Sequence, residues 1–280
     1  MQSGLYIIGT PVGNLGDMST RAVEVLRDVD LIAAEDTRVF GKLASHFDIK
    51  THRIALHDHN EREMTEKITD MIAGRRSVDG AQVLEGTIPG AAIALVSDSG
   101  MPTISDPGFR IVRECRRQGL DVFVVPGPTA VISALALSGF PTDKFTFCGF
   151  FKDEKHLRED NKIRHTLVYY ESPNRVQDTL ETMARIMPER RVAVVREITK
   201  IHEETVIGYP AELKSRDDWR GEIVIVIEPA PDVKMSDDEI SKIVRDVVSG
   251  PTKSAAAEIA ARSGISKKEA YKKLLGEKDE

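Results

Sequence analysis

A chain of 280 residues with 41% hydrophobic and 30% charged residues has the make-up of a soluble globular protein and can bury the core of one large or two medium domains. Its formal net charge of −6 excludes a globally basic nucleic-acid binder, so any basic footprint must be local. The only cysteines, Cys115 and Cys148, exclude a disulfide framework or a zinc cluster and fit a reducing cytoplasm.

The first apolar run, "LYIIGTP" (5–11), is expected to be a strand. No basic region or cleavage site accompanies it, so no signal peptide is expected, and no later run approaches the roughly 20 residues of a membrane helix. "STRAVEVLRDV" (19–29) sets Ala22, Val25, Leu26 and Val29 at helical spacing behind Ser19 or Asp17 as N-cap. A strand at 30–36, a helix at 40–47, a strand at 53–58 and a helix at 61–73 follow. Then come a strand at 92–98, a helix at 108–119 and a strand at 121–126. This alternation predicts a mainly parallel sheet covered by helices. Residues 77–91 lack periodicity and suggest a surface insertion.

A second set of elements begins with a helix at 128–139. Strands at 144–151 and 166–172, a helix at 175–187, and strands at 191–198, 203–210 and 221–229 follow. Several loops are too short for crossover helices, which implies a mixed sheet with antiparallel pairs. The expected fold class is therefore α/β, with a parallel-sheet domain at 1–126 and a mixed-sheet domain at 127–230. A linker near 229–238 leads to a small helical module at 235–280. There "TKSAAAEIAARSGISKKEAYKKLL" (252–275) has helix-turn-helix spacing. It carries Lys253, Arg262, Lys267, Lys268, Lys272 and Lys273 against Glu258 and Glu269, a local charge of +4 in an acidic chain.

Six stretches at strand ends carry candidate chemistry. "GTPVGNLGD" (9–17) lacks both the dinucleotide-binding glycine spacing and a P-loop lysine, and is either a ligand loop or a turn. "AEDTR" (34–38) clusters Glu35, Asp36 and Arg38 where open α/β sheets place ligands; otherwise Asp36 caps the next helix and Arg38 pairs with Glu35. "SDSGMPTISDPG" (97–108) is rich in glycine, proline and acid, so it suits a cation better than a phosphate. Asp106 is expected to cap the helix starting at Pro107, which leaves Asp98 for the ligand. "VPGPTA" (125–130) offers Thr129 and free helix amides, or is a hinge. "YYESPNR" (169–175) and "REITKIHEE" (196–204) offer acid–base groups or plain surface ion pairs. His57 and His59 would share a strand face, but no third ligand accompanies them, and no metal is expected.

Taken in order, "IGTPVGNLGDMSTRAVEVL", "AAEDTR", "HNE", "LVSDSGMPTISDPG", "VVPGPTAVISALALSG", "YYESPNR", "REITK" and "GEIVIVIE" resemble the tetrapyrrole-methylase superfamily. Within it they look like the ribosomal small-subunit methyltransferase I family. The likeness covers residues 4–229 and extends to the helical tail. The 77–91 insertion and the acidic "FKDEKHLRED" (151–160) depart from it.

The resemblance implies S-adenosylmethionine (SAM) in a cleft between two α/β domains. It places the cofactor against Pro11, Val12, Gly13 and Asn14. The next contacts are Asp98, Ser99, Gly100, Met101, Pro102, Ile104 and Ser105, followed by Thr129 and Ala130. The adenine would lie near Ser172, Thr199, Gly221 and Glu222. The implied reaction is 2′-O-methylation of a decoding-centre cytidine, cytidine 1402, in 16S rRNA. The implied partners are the small ribosomal subunit and a second copy of the chain.

For that reaction the candidate catalytic groups are Glu35, Asp36 and Arg38, with Asp36 as base or substrate clamp. Lys200 is the second candidate, on condition that its pKa is lowered. Arg38, Lys253, Arg262, Lys267, Lys268 and Lys272 are the expected RNA contacts. The competing readings are a precorrin-type small-molecule methylase, a non-catalytic RNA-binding assembly protein and, least favoured, a nucleotide-binding oxidoreductase.

Overall fold

The computed structural model describes residues 1–79, 89–231, 237–247, 253–263 and 265–275. The chain divides into two compact units, Met1–Pro229 and Ala230–Glu280. The first unit carries two five-stranded sheets.

The first sheet is formed by β1 (Gly4–Ile8), β2 (Leu31–Ala34), β3 (Arg53–Ala55), β4 (Ala92–Val96) and β5 (Val122–Val125). Their order is β3-β2-β4-β1-β5, and every neighbouring pair is parallel. Helices α1 (Thr20–Asp28) and α2 (Thr37–His46) cover one face through Ala22, Leu26, Phe40 and Ala44. Helices α3 (Glu61–Ile72) and α4 (Phe109–Arg117) cover the other through Ile68, Ile72, Ile111 and Cys115. Covered on both faces, β2 and β4 are buried throughout, which is why they are continuous apolar runs without alternation.

The second sheet is formed by β6 (Phe145–Phe150), β7 (Thr166–Glu171), β8 (Val192–Arg196), β9 (Glu204–Gly208) and β10 (Ile223–Ile227). The order is β6-β7-β10-β8-β9. The β6–β7 pair is parallel and the others antiparallel, so the sheet is mixed. On one face α5 (Ala130–Ser138) packs Val131, Ala134 and Leu135 against Val168, Val195 and Val226. On the other, α6 (Glu154–Asp160) and α7 (Val176–Ile186) set Leu157, Leu180 and Met183 against Leu167, Val194 and Ile225. Each of these valine, leucine, isoleucine and methionine side chains contributes about 1.5–3 kcal/mol by leaving water.

Three sequence expectations change. The strand expected at 53–58 stops at Ala55, because Asn60 Oδ1 accepts the His57 amide at 2.9 Å and turns the chain. His57 and His59 therefore do not share a strand face. Helix α6 and the short α8 (Pro210–Leu213) were not expected. Asp106 does not cap α4. The N-cap position is Gly108, at φ +121°, with no side-chain bond of its own. The buried Glu61 carboxylate on α3 instead accepts the Gly108 and Arg110 amides at 2.9 and 3.0 Å.

The C-terminal unit contains α9 (Asp237–Asp246), α10 (Lys253–Ser263) and α11 (Lys267–Leu274) around Val247, Ala255, Ala256, Ile259 and Ala270. Ser266 caps α11 by accepting the Glu269 amide at 3.2 Å. Most of the expected 77–91 insertion (80–88), part of the expected linker (232–236) and the glycine of the expected helix-turn-helix lie outside the described residues.

Candidate active site

In a parallel sheet, loops leaving the C-terminal strand ends converge where the strand order reverses. Here the loops after β1 and β4 are tied by a two-way bridge. The Thr10 amide donates to the Gly100 carbonyl at 2.9 Å, and the Gly100 amide returns a bond to Thr10 at 3.2 Å. The loop after β5 crosses so closely that a Cβ on Gly9 would sit 2.6 Å from the Gly127 Cα. Only glycine permits that backbone crossing. Thr199 Oγ1, from the loop after β8, donates to the Val12 carbonyl at 3.3 Å.

Between these loops and the second sheet lies a cleft of about 380 Å³, large enough for a small organic ligand. The first sheet contributes Val12, Ser99–Met101, Ile104–Asp106, Thr129 and Ala130. The second sheet contributes Phe150, Tyr170–Pro173 and Gly221–Val224. Among the described residues no lysine, arginine or histidine lines it. Phe150 meets Tyr170 edge-on at 5.4 Å, giving an apolar wall with aromatic faces. Thr103, Ser105, Glu197 and Thr199 have φ between +52° and +76°, a left-handed conformation that such residues adopt at a cost. All four lie in loops bordering the cleft.

The carboxylates interlock. The Asp98 amide donates to Glu35 at 3.3 Å, and Asp98 Oδ1 accepts the Asp36 amide at 3.1 Å. Burial first, with neighbouring carboxylates adding, raises the Glu35 and Asp98 pKa values. Burial and then the nearby Glu35 push Asp106 up to about 6. Asp36 behaves oppositely. It caps α2 and pairs with Arg38 at 2.7 Å, and the Arg38 hydrogen bond holds its carboxyl far below the usual range. Arg38 therefore pairs with Asp36 and not with Glu35, and Asp36 is a poor proton acceptor. The clamp half of its expected role fits the geometry better.

A depression beside the cleft is lined by Thr10, Pro11, Gly13, Leu15, Val39, Phe40, Lys42, Leu43, Ser97, Asp98, Ser99, Lys200 and Glu222. Lys200 bonds Glu197 and Glu222, each at 2.9 Å. Burial alone would lower its pKa, but these two carboxylates outweigh it and the value is raised. The condition attached to Lys200 as a base is not met.

Of the expected cofactor residues, Val12, Ser99, Gly100, Met101, Ile104, Ser105, Thr129, Ala130, Ser172, Gly221 and Glu222 line the cleft. Pro11, Gly13 and Asp98 line the depression. Asn14 accepts the Gly16 amide at 2.9 Å in the next turn, Thr199 braces Val12, and Pro102 is buried. Thr129 accepts the Ile132 amide as the α5 cap. Asp106, Tyr170 and Phe150 are cleft residues that sequence reasoning missed. "YYESPNR" contains Tyr170, and the second aspartate of "SDSGMPTISDPG" has the local pattern of a cap. Glu171 is buried and accepts from Thr179, the Ser172 amide and Arg175 at 2.6–2.8 Å, so it anchors the turn behind the cleft.

In the C-terminal unit, Lys253, Lys267, Lys268 and Lys272 surround Tyr271 in one groove. Arg262 is separate, 3.3 Å from Asp246 and 3.7 Å from Glu258.

A family model described as Tetrapyrrole (Corrin/Porphyrin) Methylases matches residues 4–214. A protein called ribosomal RNA small subunit methyltransferase I from Vibrio cholerae serotype O1 is 40% identical over 283 residues, covering 96% of this chain and 93% of its own. A protein of the same name from Escherichia coli O157:H7 is 40% identical over 288 residues, covering 98% and 95%. Among solved structures, uroporphyrin-III-C-methyltransferase from Thermus thermophilus superposes with a TM-score of 0.55 at 17% identity, over 81% of this chain and 94% of that one. At that identity the superposition speaks for the fold alone.

Proposed function

The chain belongs to the tetrapyrrole (corrin/porphyrin) methylase family and groups there with ribosomal RNA small subunit methyltransferase I, and from that premise we propose that it methylates the ribose 2′-oxygen of a decoding-centre cytidine, cytidine 1402, in 16S rRNA. The proposed methyl donor is SAM. The observation that carries the reading is the charge of the cleft. Its lining carboxylates are Asp106, Glu171 and Glu222, and among the described residues no cation lines it. That lining suits a ligand bearing a sulfonium and an ammonium, and it repels a nucleotide phosphate. Tyr170 and Phe150 offer aromatic faces to a cation or a flat base.

SAM supplies an electrophilic methyl group on a sulfur that is already a good leaving group. The protein's share is then alignment, worth up to about 7–11 kcal/mol in well-oriented systems. The loops 9–14 and 97–105 are cross-braced at Thr10 and Gly100, which fixes the cleft wall against the depression where the ribose would sit. Bound in the cleft, SAM would supply the methyl group to a ribose oxygen in the depression, and the protein's part would be to hold that oxygen in line and to take up its hydroxyl proton on a base. We assign that base to Asp98. It lines the depression, burial raises its pKa, and the Asp36 amide orients it. Asp36 and Arg38, at the neighbouring loop after β2, form a clamp. Lys200, held charged, steadies Glu222 and the Gly13 turn.

A homodimer is proposed alongside, since Val124, Ile132 and Leu137 leave large apolar side chains exposed on the first unit; a sedimentation coefficient of a monomer would overturn that. The function is tested by incubating the protein with methyl-labelled SAM and small ribosomal subunits that lack the modification. Label in the 16S rRNA is expected. Unlabelled RNA beside a protein that binds SAM would sink the proposed substrate.

A further inference from the structure

Three surface features of the first unit are continuous. Ser99 and Glu222 line both the cleft and the depression beside it. Lys42 lines both that depression and a third feature, a groove of about 770 Å³ outside α2 and the edge strand β3. The groove is lined by Arg38, Lys42, Lys50 and Arg53, with Thr37, Gly41, Ser45, Thr51 and His52 between them. Among the described residues no carboxylate lines it, in a chain whose net charge is −6. Arg38 and Lys42 are one helical turn apart on α2, so they share a face. Lys50 and Arg53 come from the segment that enters β3. Asp36 and Asp48 pair with Arg38 and Lys50 at 2.7 and 3.5 Å. Among the described residues no carboxylate is within ion-pair distance of Lys42 or Arg53, and both are exposed.

We propose that this groove holds the sugar–phosphate backbone of the RNA strand flanking the target nucleoside, an inference that rests on the methylation reading above. Its lining combines point charges with hydroxyls, which is what phosphate oxygens take. It has none of the aromatic or large apolar anchors that dominate protein–protein contacts. The depression between it and the cleft has the apolar walls, Leu15, Val39, Phe40 and Leu43, that an unstacked nucleoside needs. A strand laid in the groove thus delivers one nucleoside to the methyl donor and keeps its neighbours' phosphates on lysine and arginine.

The test is the full-length triple variant Lys42→Ala, Lys50→Ala, Arg53→Ala, assayed on unmodified small subunits between about 50 and 200 mM salt. SAM affinity should be unchanged. KM for subunits should rise at least ten-fold at physiological salt. The slope of log kcat/KM against log salt should become shallower by about two, since each lost phosphate contact removes about 0.7–0.9. The charge-conserving pair Lys42→Arg, Lys50→Arg should keep the parent slope, which separates lost charge from a disturbed fold. A triple variant with the parent's KM and slope overturns the groove while leaving the function standing. A parent that does not methylate subunits overturns the function and the groove with it. A raised KM with undiminished competition by naked 16S rRNA would assign the groove to a ribosomal protein and also overturn it.

Discussion

Asp106→Asn probes the charge of the cleft directly. Burial and the neighbouring Glu35 push this carboxyl up to about 6. A bound sulfonium or ammonium favours its ionised form, so binding should weaken as the group takes up a proton. At pH 8 it is almost wholly ionised, whereas at pH 5 about one molecule in eleven is; with the neutral form binding roughly ten-fold more weakly, SAM affinity should fall about five-fold between the two. The variant should bind roughly ten-fold more weakly at pH 8, since a nearby opposite charge is worth about 1–3 pKa units. It should also lose most of the pH slope. Glu35 and Asp98, raised in the same direction, account for the remainder. Stability runs the other way. The folded value lies above the ordinary 3.8, so the group's contribution is present below pH 4 and lost as pH rises through about 6. Without ligand at pH 7, Asp106→Asn should therefore be more stable than the parent by on the order of 1 kcal/mol, after allowance for solvent screening. Calorimetric titrations at pH 5, 6, 7 and 8 would measure the affinities, with S-adenosylhomocysteine, which lacks the sulfonium, as comparison. An affinity for SAM that stays flat from pH 8 to 5, or the same slope in the variant, would refute the reasoning.

Asp98→Asn should lower kcat by about 10²–10⁴-fold, the range for loss of a general base, and leave SAM affinity within a few-fold; an unchanged kcat removes Asp98 from the chemistry. Lys200→Ala should cost less than ten-fold in kcat and leave the shape of the pH–rate profile unaltered, because the ammonium is held charged by Glu197 and Glu222; loss of a basic limb from that profile would restore Lys200 as the base. Glu61→Ala should destabilise the protein by about 2–3 kcal/mol in denaturant titration, having removed a buried carboxylate that takes two α4 amides; a change under 0.5 kcal/mol would show that those amides find other partners. Combined Lys267→Ala, Lys268→Ala and Lys272→Ala should raise KM for subunits several-fold and spare SAM binding, as expected for a basic groove around Tyr271; a KM equal to the parent's would take the groove out of RNA contact.

What was legible in the sequence is local. Apolar runs such as "AIALV" marked strands buried on both faces, and the loops at their ends marked the cleft. The partners that set the chemistry are distant in sequence. Asp106 stands just before Pro107, where a cap is the natural reading, yet the residue meeting those amides is Glu61, on another helix. Arg38 turned to Asp36, two positions away, because the α2 cap brings that carboxylate round to it. The state of Lys200 depends on Glu222, which reaches it only once β8 and β10 are paired. Helix α6 escaped notice because only Leu157 on it is buried, so "DEKHLRED" shows charge with almost no apolar period.

The position of the transferred methyl group tests the central claim most directly. A methyl on the ribose 2′-oxygen removes the nucleophile needed for alkaline cleavage of the adjoining phosphodiester. Labelled 16S rRNA from the reaction, digested with alkali, should therefore carry its label in a resistant dinucleotide with cytidine at the 5′ position. Label released in a mononucleotide, as a methylated base would give, would contradict the account.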